Sequence, residues 1–125
     1  RDCLLSRGLG DVYKRQVPYE ETVLSAHRDL PELIRFLGDL EASGEKAVIL
    51  AVAGLSAALP GVVVMSCSLP VIGVPVPGGP LNGIDALLAI AQCPGGVPCT
   101  TVGLHKKTPV NAAMAAHRIL KLAGL

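Results

Sequence analysis

Ala47-Val48-Ile49-Leu50-Ala51-Val52 is an unbroken apolar run of strand length, and Ala53-Gly54-Leu55-Ser56 brings it to an end. A strand with one wet face alternates apolar and polar residues. A run without alternation therefore predicts a strand covered on both faces, the condition of a parallel sheet flanked by helices. The pattern recurs: Val71 to Val74 is a second fully apolar strand, followed by the Pro/Gly loop from Pro75 to Pro80, and Cys99 to Val102 is another strand. Upstream, Tyr19 to Leu24 ends in Thr-Val-Leu and predicts a short first strand, with a polar turn after it at Ser25-Ala26-His27-Arg28.

Helical patterns lie between these runs. Asp29-Leu30-Pro31 opens the first, because Asp can cap free N–H groups and Pro lacks a donor that would be orphaned in the first turn anyway. Leu30, Leu33, Ile34, Leu37 and Leu40 then recur at helical spacing as one buried stripe, and Gly44 is the stop. A short helix from Leu59 to Met65, another from Ile84 to Ala91, and an Ala-rich one from Val110 to Leu122 entered through Thr108-Pro109 complete the series. Strands alternating with helices in this way require right-handed crossovers, a parallel sheet and helices on both faces, which is the doubly wound α/β class. Ligands of such sheets bind beyond the carboxyl ends of the strands. The loops at Ser25 to Arg28, Ala53 to Ser56 and Pro75 to Pro80 are thus expected to share one site.

The chain of 125 residues is one domain's worth. With 50% apolar and 17% charged residues, it is too apolar for disorder and calls for a heavily covered sheet or a surface hidden by assembly. A net charge of +1, few aromatics and no basic block beyond Lys106-Lys107 exclude the electrostatic footprint of a nucleic-acid binder. The longest apolar stretch, Ala47 to Met65, is interrupted by Gly54, Ser56, Pro60 and Gly61, so no membrane segment is expected. Cys3, Cys67, Cys93 and Cys99 form no C-x-x-C pair, and three of them sit among apolar residues. That pattern fits buried free thiols better than zinc ligands or disulfides, and a reducing cytoplasm follows. Arg1 to Gln16 has charge at each end and only Cys3-Leu4-Leu5 as an apolar run, so no signal peptide is visible.

His27 and Arg28, at the end of the first expected strand, pair a group that exchanges protons near neutral pH with a planar cation suited to phosphate. A His-Arg turn taken alone is more often solvated surface, and only its place at a strand end argues otherwise. Gly54 would let backbone N–H groups approach a ligand, or it simply serves a strand-to-helix turn. Pro75 to Pro80 fits a lid or a rigid connector equally. His105 and His117 read as solvated surface. No H-E-x-x-H, G-x-x-x-x-G-K-[ST] or G-x-S-x-G pattern occurs, which leaves zinc proteolysis, P-loop hydrolysis and the serine-hydrolase elbow without a motif. The residues by themselves lead to a phosphate-bearing small ligand and one His for proton transfer.

Ser25-Ala26-His27-Arg28, Ala53-Gly54-Leu55-Ser56-Ala57-Ala58-Leu59-Pro60-Gly61, Pro70-Val71-Ile72-Gly73-Val74-Pro75-Val76, Leu81-Asn82-Gly83-Ile84-Asp85-Ala86-Leu87-Leu88 and Gln92-Cys93-Pro94-Gly95-Gly96-Val97-Pro98 stand in the order and spacing of one family. Over Val17 to Leu122 the chain resembles the PurE family of purine biosynthesis. The resemblance implies a flavodoxin-like three-layer αβα sandwich and formation of 4-carboxy-5-aminoimidazole ribonucleotide. The first class of the family rearranges N5-carboxyaminoimidazole ribonucleotide; the second adds carbon dioxide to aminoimidazole ribonucleotide. By the same resemblance His27 is the general acid/base, Arg28 holds the substrate phosphate with Ser25 and Ala26 beside it, and Ala53, Gly54, Leu55 and Ser56 enclose the ring and the released carbon dioxide. Family members are cytoplasmic homo-octamers that use no metal or organic cofactor.

Departures from the family pattern shape the remaining expectations. Ala58 stands where many first-class members have a second His, and Ser56-Ala57 stands where the second class has Ser-Asn, so this loop leaves the class open. Gly73-Val74-Pro75-Val76 and Leu81 to Asp85 look like the first class and favour the mutase. A non-catalytic ligand-binding or assembly subunit of the same fold is the alternative from another class. The related pyridinium-nucleotide carboxylase is a weaker one. The family's opening strand and Gly-Ser-x-Ser-Asp turn are missing from Arg1 to Gln16, which is expected to be a non-native leader ahead of an incomplete domain. In the flavodoxin-like strand order that absent strand lies between the second and third, so the chain alone is expected to fold poorly and to be inactive.

Overall fold

The computed structural model describes residues 18–125, and the elements fall in the order α1 (Leu30–Ala42), β1 (Ile49–Gly54), α2 (Ala58–Ser66), β2 (Val71–Val76), α3 (Ile84–Ala91), β3 (Thr100–Thr101) and α4 (Thr108–Leu122). The expected non-native stretch Arg1 to Gln16, Cys3 included, lies outside the described residues. The sheet is parallel in the order β1-β2-β3, with Ile49 opposite Val71, Gly54 opposite Val76, and Gly73 opposite Thr101. Apolar runs without alternation are covered on both sides, as expected. Ala51 and Val71 pack on one face with Leu33 and Leu37 of α1 and Val63 of α2, while Ile72 and Val74 pack on the other with Ala112 and Ala116 of α4. Helix α3 seals the first face through Ala86 and Ile90. Gly73 makes this possible, since a Cβ there would lie 2.6 Å from Ile90 Cγ2 and 3.2 Å from Pro60 Cβ. The architecture is the flavodoxin-like α/β class, with α1, α2 and α3 on one side of the sheet and α4 on the other.

Several elements differ from the sequence expectation. Tyr19 to Leu24 forms no strand. The flavodoxin-like order separates this segment from β1 by one strand, no described segment fills that slot, and Val23 is accordingly 87% exposed. The described sheet therefore has three strands rather than four. Asp29 stands before α1 but does not cap it; its carboxylate turns back to accept the Ser25 N–H at 2.9 Å. The α1 stripe is narrower than expected: Leu33 and Leu37 are buried, whereas Leu30 and Ile34 are exposed, because α1 meets the domain chiefly through α2.

Strand β2 runs through Pro75, where a loop was expected. Pro70 O accepts the Ile49 N–H, so by strand alternation residues 71, 73 and 75 direct their backbone groups toward β3. Strand β3 ends opposite Gly73, and Pro75 consequently forfeits no ladder bond. The expected strand Cys99 to Val102 is reduced to two residues, and the Thr100 hydroxyl donates to Val71 O at 2.7 Å.

Candidate active site

Because β1 and β2 are parallel and end in register, the loops leaving Gly54 and Val76 emerge side by side at the carboxyl edge of the sheet. They also touch. A Cβ on Gly54 would lie 3.3 Å from Val76 O, and one on Gly79 would lie 2.6 Å from Leu55 Cδ2. Leu55 itself adopts φ 53, a left-handed conformation that L side chains rarely take, and it turns the chain so that Ala57 N–H reaches Leu55 O at 2.9 Å. Ser56 is exposed and Ala53 and Gly54 are half-buried, so this loop offers backbone and one hydroxyl to the solvent side of the edge.

The turn Ser25 to Arg28 reaches the same edge by a different route. Glu41, at the carboxyl end of α1, accepts the Ser68 N–H just before β2 begins, at 3.1 Å to each carboxylate oxygen, and accepts the Ser68 hydroxyl as well. That end of α1 is therefore at the amino edge of the sheet. A helix of 13 residues spans about 20 Å, and a six-residue strand about the same, so the start of α1 and the turn before it stand level with the carboxyl edge. The turn is wound by local bonds: Asp29 N–H and Arg28 N–H donate to Ser25 O at 2.8 and 3.3 Å, and His27 N–H donates to Ser25 Oγ at 3.3 Å. Ala26 and Leu24 anchor it on the cluster of Ala51 and Val63. The imidazole of His27 and the guanidinium of Arg28 are left exposed. The structure thus joins Ala53–Ser56 to the Pro75–Pro80 loop by direct contact, and brings Ser25–Arg28 to the same edge through the shared core.

Two features of this edge escaped the sequence patterns. A fourth loop, from Val102 to Lys107, arrives beside Pro75–Pro80: a Cβ on Gly83 would meet Leu104 Cδ1 at 2.9 Å and Pro77 Cα at 2.8 Å. It carries His105, whose N–H donates to the buried Thr108 Oγ1 at 2.7 Å and whose Nδ1 accepts the Lys107 N–H at 3.1 Å. His105 is exposed, as expected, yet it belongs to the carboxyl edge; its place directly after β3 was the available signal. The second is Asp85 in the first turn of α3, whose Oδ1 is buried with no hydrogen-bond partner among the described residues.

On the flank of this edge, α2 and α3 part to leave an open groove of about 420 Å³, lined by Ser56, Gly61, Val62, Met65, Ala89 and Cys93. The described cysteines are half-buried and unpaired rather than fully buried. Burial pushes the Cys67 thiol up, and pushes Cys99 up to about 11 with the neighbouring Cys93 contributing. Among the described residues no group of His, Cys, Asp or Glu is arranged to hold a metal ion, and no helix is long and apolar enough to cross a membrane.

A doubly wound sheet with loops gathered at the carboxyl edge defines an α/β protein of the kind that binds a small ligand there. The chain belongs to the AIR carboxylase family, whose pattern matches residues 8–124. It is similar to the N5-carboxyaminoimidazole ribonucleotide mutase of Bacillus subtilis, with 47% identity over 104 residues, 83% of this chain and 64% of that protein. To the enzyme of the same name from Pseudomonas aeruginosa it is 44% identical over 107 residues, 86% of the chain and 65% of that protein. The phosphoribosylaminoimidazole carboxylase of Ogataea methanolica is 42% identical over 117 residues, 94% of the chain but 21% of that much longer protein. The chain therefore spans just under two thirds of the length of its bacterial relatives.

Proposed function

We propose that the protein containing this chain converts N5-carboxyaminoimidazole ribonucleotide into 4-carboxy-5-aminoimidazole ribonucleotide in de novo purine synthesis. The observation that carries this is the 47% identity to a mutase of that name, in a chain whose His-Arg turn packs on the core beneath the carboxyl edge of the sheet. His27 protonates the carbamate nitrogen, the N–CO2 bond breaks, and carbon dioxide stays beside the ring under the loop Ala53 to Ser56. C4 then attacks carbon dioxide, and His27 takes the proton that C4 gives up. The proton returns to its starting place, so the rearrangement consumes nothing and needs no ATP. One imidazole serves both steps because its ordinary pKa lies near neutrality. Arg28 holds the ribonucleotide phosphate, with Ser25 and Ala26 shaping the turn around it.

A second reading, direct carboxylation of aminoimidazole ribonucleotide, is favoured by the fungal relatives named phosphoribosylaminoimidazole carboxylase, one of them 45% identical over 105 residues. Assembly into a homo-octamer is supported by Met65, Ile84 and Leu88, large apolar side chains that this chain leaves exposed. Unpaired thiols at Cys67, Cys93 and Cys99 support a cytoplasmic location. The test is to give the full-length protein each substrate without ATP. Product from N5-carboxyaminoimidazole ribonucleotide alone establishes the mutase, and product only from aminoimidazole ribonucleotide plus carbon dioxide establishes the carboxylase. Calorimetric binding of aminoimidazole ribonucleotide with no product from either would leave a non-catalytic subunit.

A further inference from the structure

Asp85, in the first turn of α3, is the only acidic side chain between Lys46 and Leu125. Two residues before it, Gly83 brings the start of α3 against two loops at once. A Cβ on Gly83 would lie 2.8 Å from Pro77 Cα, in the loop after β2, and 2.9 Å from Leu104 Cδ1, in the loop after β3. The first turn of α3 therefore stands where those loops meet at the carboxyl edge. Along the helix, Asp85 lies one turn before Ala89, and residues four apart share a helix face. Ala89 lines the groove between α2 and α3, so Asp85 is on the groove side of α3, at its carboxyl-edge end. Ser56, the last residue of the loop Ala53–Ser56, lines that end as well, just ahead of α2. The side chain of Asp85 is half-buried, but its Oδ1 is sealed from solvent and meets no hydrogen-bond donor among the described residues. Buried polar atoms are almost always paired, because an unpaired one forfeits the hydration it had in the unfolded chain. An Asp that served only the helix dipole would keep its oxygens in water or on the free N–H groups of the first turn, and Oδ1 of Asp85 does neither. This carboxylate is short of a donor.

We propose that Asp85 is a further substrate-binding residue, whose carboxylate accepts a hydrogen bond from the exocyclic N–H of the aminoimidazole ring; this rests on the function proposed above. The choice of donor follows from charge. A carboxylate repels both the phosphate and the carboxyl group being transferred, so the part of the ribonucleotide it faces must be uncharged and must carry a hydrogen. The exocyclic nitrogen meets both conditions, and the loop that ends at Ser56 brings the ring to the same end of the groove. That nitrogen keeps a hydrogen both as the carbamate and as the free amine. The bond to Asp85 therefore persists while carbon dioxide leaves nitrogen and joins C4, and it holds the ring in one orientation between the two steps.

The experiment measures calorimetric binding of two ligands to the full-length protein: aminoimidazole ribonucleotide, and imidazole ribonucleotide, which lacks the amine. The unsubstituted protein is expected to prefer the first by about tenfold or more, the effect of one hydrogen bond to a charged group. In Asp85→Ala that preference should disappear, while imidazole ribonucleotide binds as well as before. Asp85→Asn, which keeps the shape and an uncharged acceptor, should show an intermediate preference. Imidazole ribonucleotide also reports on the fold, since a variant that binds it has a formed site. A preference of unchanged size in Asp85→Ala, or equal binding of the two nucleotides by the unsubstituted protein, would overturn the assignment. An equal loss of both nucleotides in Asp85→Ala and Asp85→Asn would mean a structural role or a bond to the ribose, and overturns it as well. If the unsubstituted protein bound neither nucleotide, the purine reading would fall first, and this assignment with it.

Discussion

Leu55 and His27 stand at the same edge of the sheet, but one is held by the sheet and the other by its own neighbours in sequence. Leu55 lies directly after β1, its backbone in a left-handed conformation and its side chain against Gly79 of the adjoining loop. His27 sits in a turn whose hydrogen bonds all run between Ser25 and Asp29, following a segment that pairs with no described strand. Shape at this edge is thus determined by long-range packing, whereas His27, the proposed acid/base, is supplied locally. A locally held residue can be exchanged without disturbing the fold; a residue under the sheet-held loops cannot.

The sharpest separation of the two regions comes from His27→Asn in the full-length protein. Turnover is expected to fall by about 10²- to 10⁴-fold, the usual contribution of one acid/base group, while urea stability moves by no more than about 0.5 kcal/mol. Near-normal turnover would remove His27 from the chemistry. On the other side of the comparison, Ile90→Ala empties a fully buried site against Gly73 and is expected to cost about 2–5 kcal/mol in urea unfolding. Gly83→Ala is the subtler probe: φ is +92 and the new Cβ would press on Pro77 Cα at 2.8 Å, so about 1–3 kcal/mol should be lost, with amide shifts spreading through Pro75 to Pro80. Unchanged shifts there would mean that the loops are not mechanically joined. The smallest effect is expected from Val23→Ser, within about 0.5 kcal/mol of neutral because the side chain is 87% exposed. A loss above about 1 kcal/mol would reveal a packed partner for Tyr19–Leu24 and break the comparison.

Much of this architecture was legible before any coordinates, for reasons that differ by element. Val71 to Val74 is buried on both faces, so its composition alone identified it. The helix Ile84–Ala91 matches its expected range to the residue, and its buried Ala86 and Ile90 meet the sheet. Tyr19–Leu24 was misread because strand propensity is a local quantity and pairing is not: Thr-Val-Leu favours a strand only when a neighbour supplies the ladder. Asp29 was misread for a related reason, since its carboxylate had two possible donors and the Ser25 N–H won. For the candidate site, the loops after β1 and β2 were anticipated from the strand ends and the turn Ser25–Arg28 from a strand that does not form, while the loop at His105 was hidden by its Lys-rich, solvent-facing composition.

Pro75 has one more consequence. Beyond Thr101 no described strand pairs with the β3 side of β2, and unpaired strand backbone is a template on which another chain can anneal. A proline at the position directed away from β1 offers no N–H to an incoming strand. Strand β2 therefore runs on past the end of β3 with Pro75 buried and with no N–H at that position left in need of an acceptor.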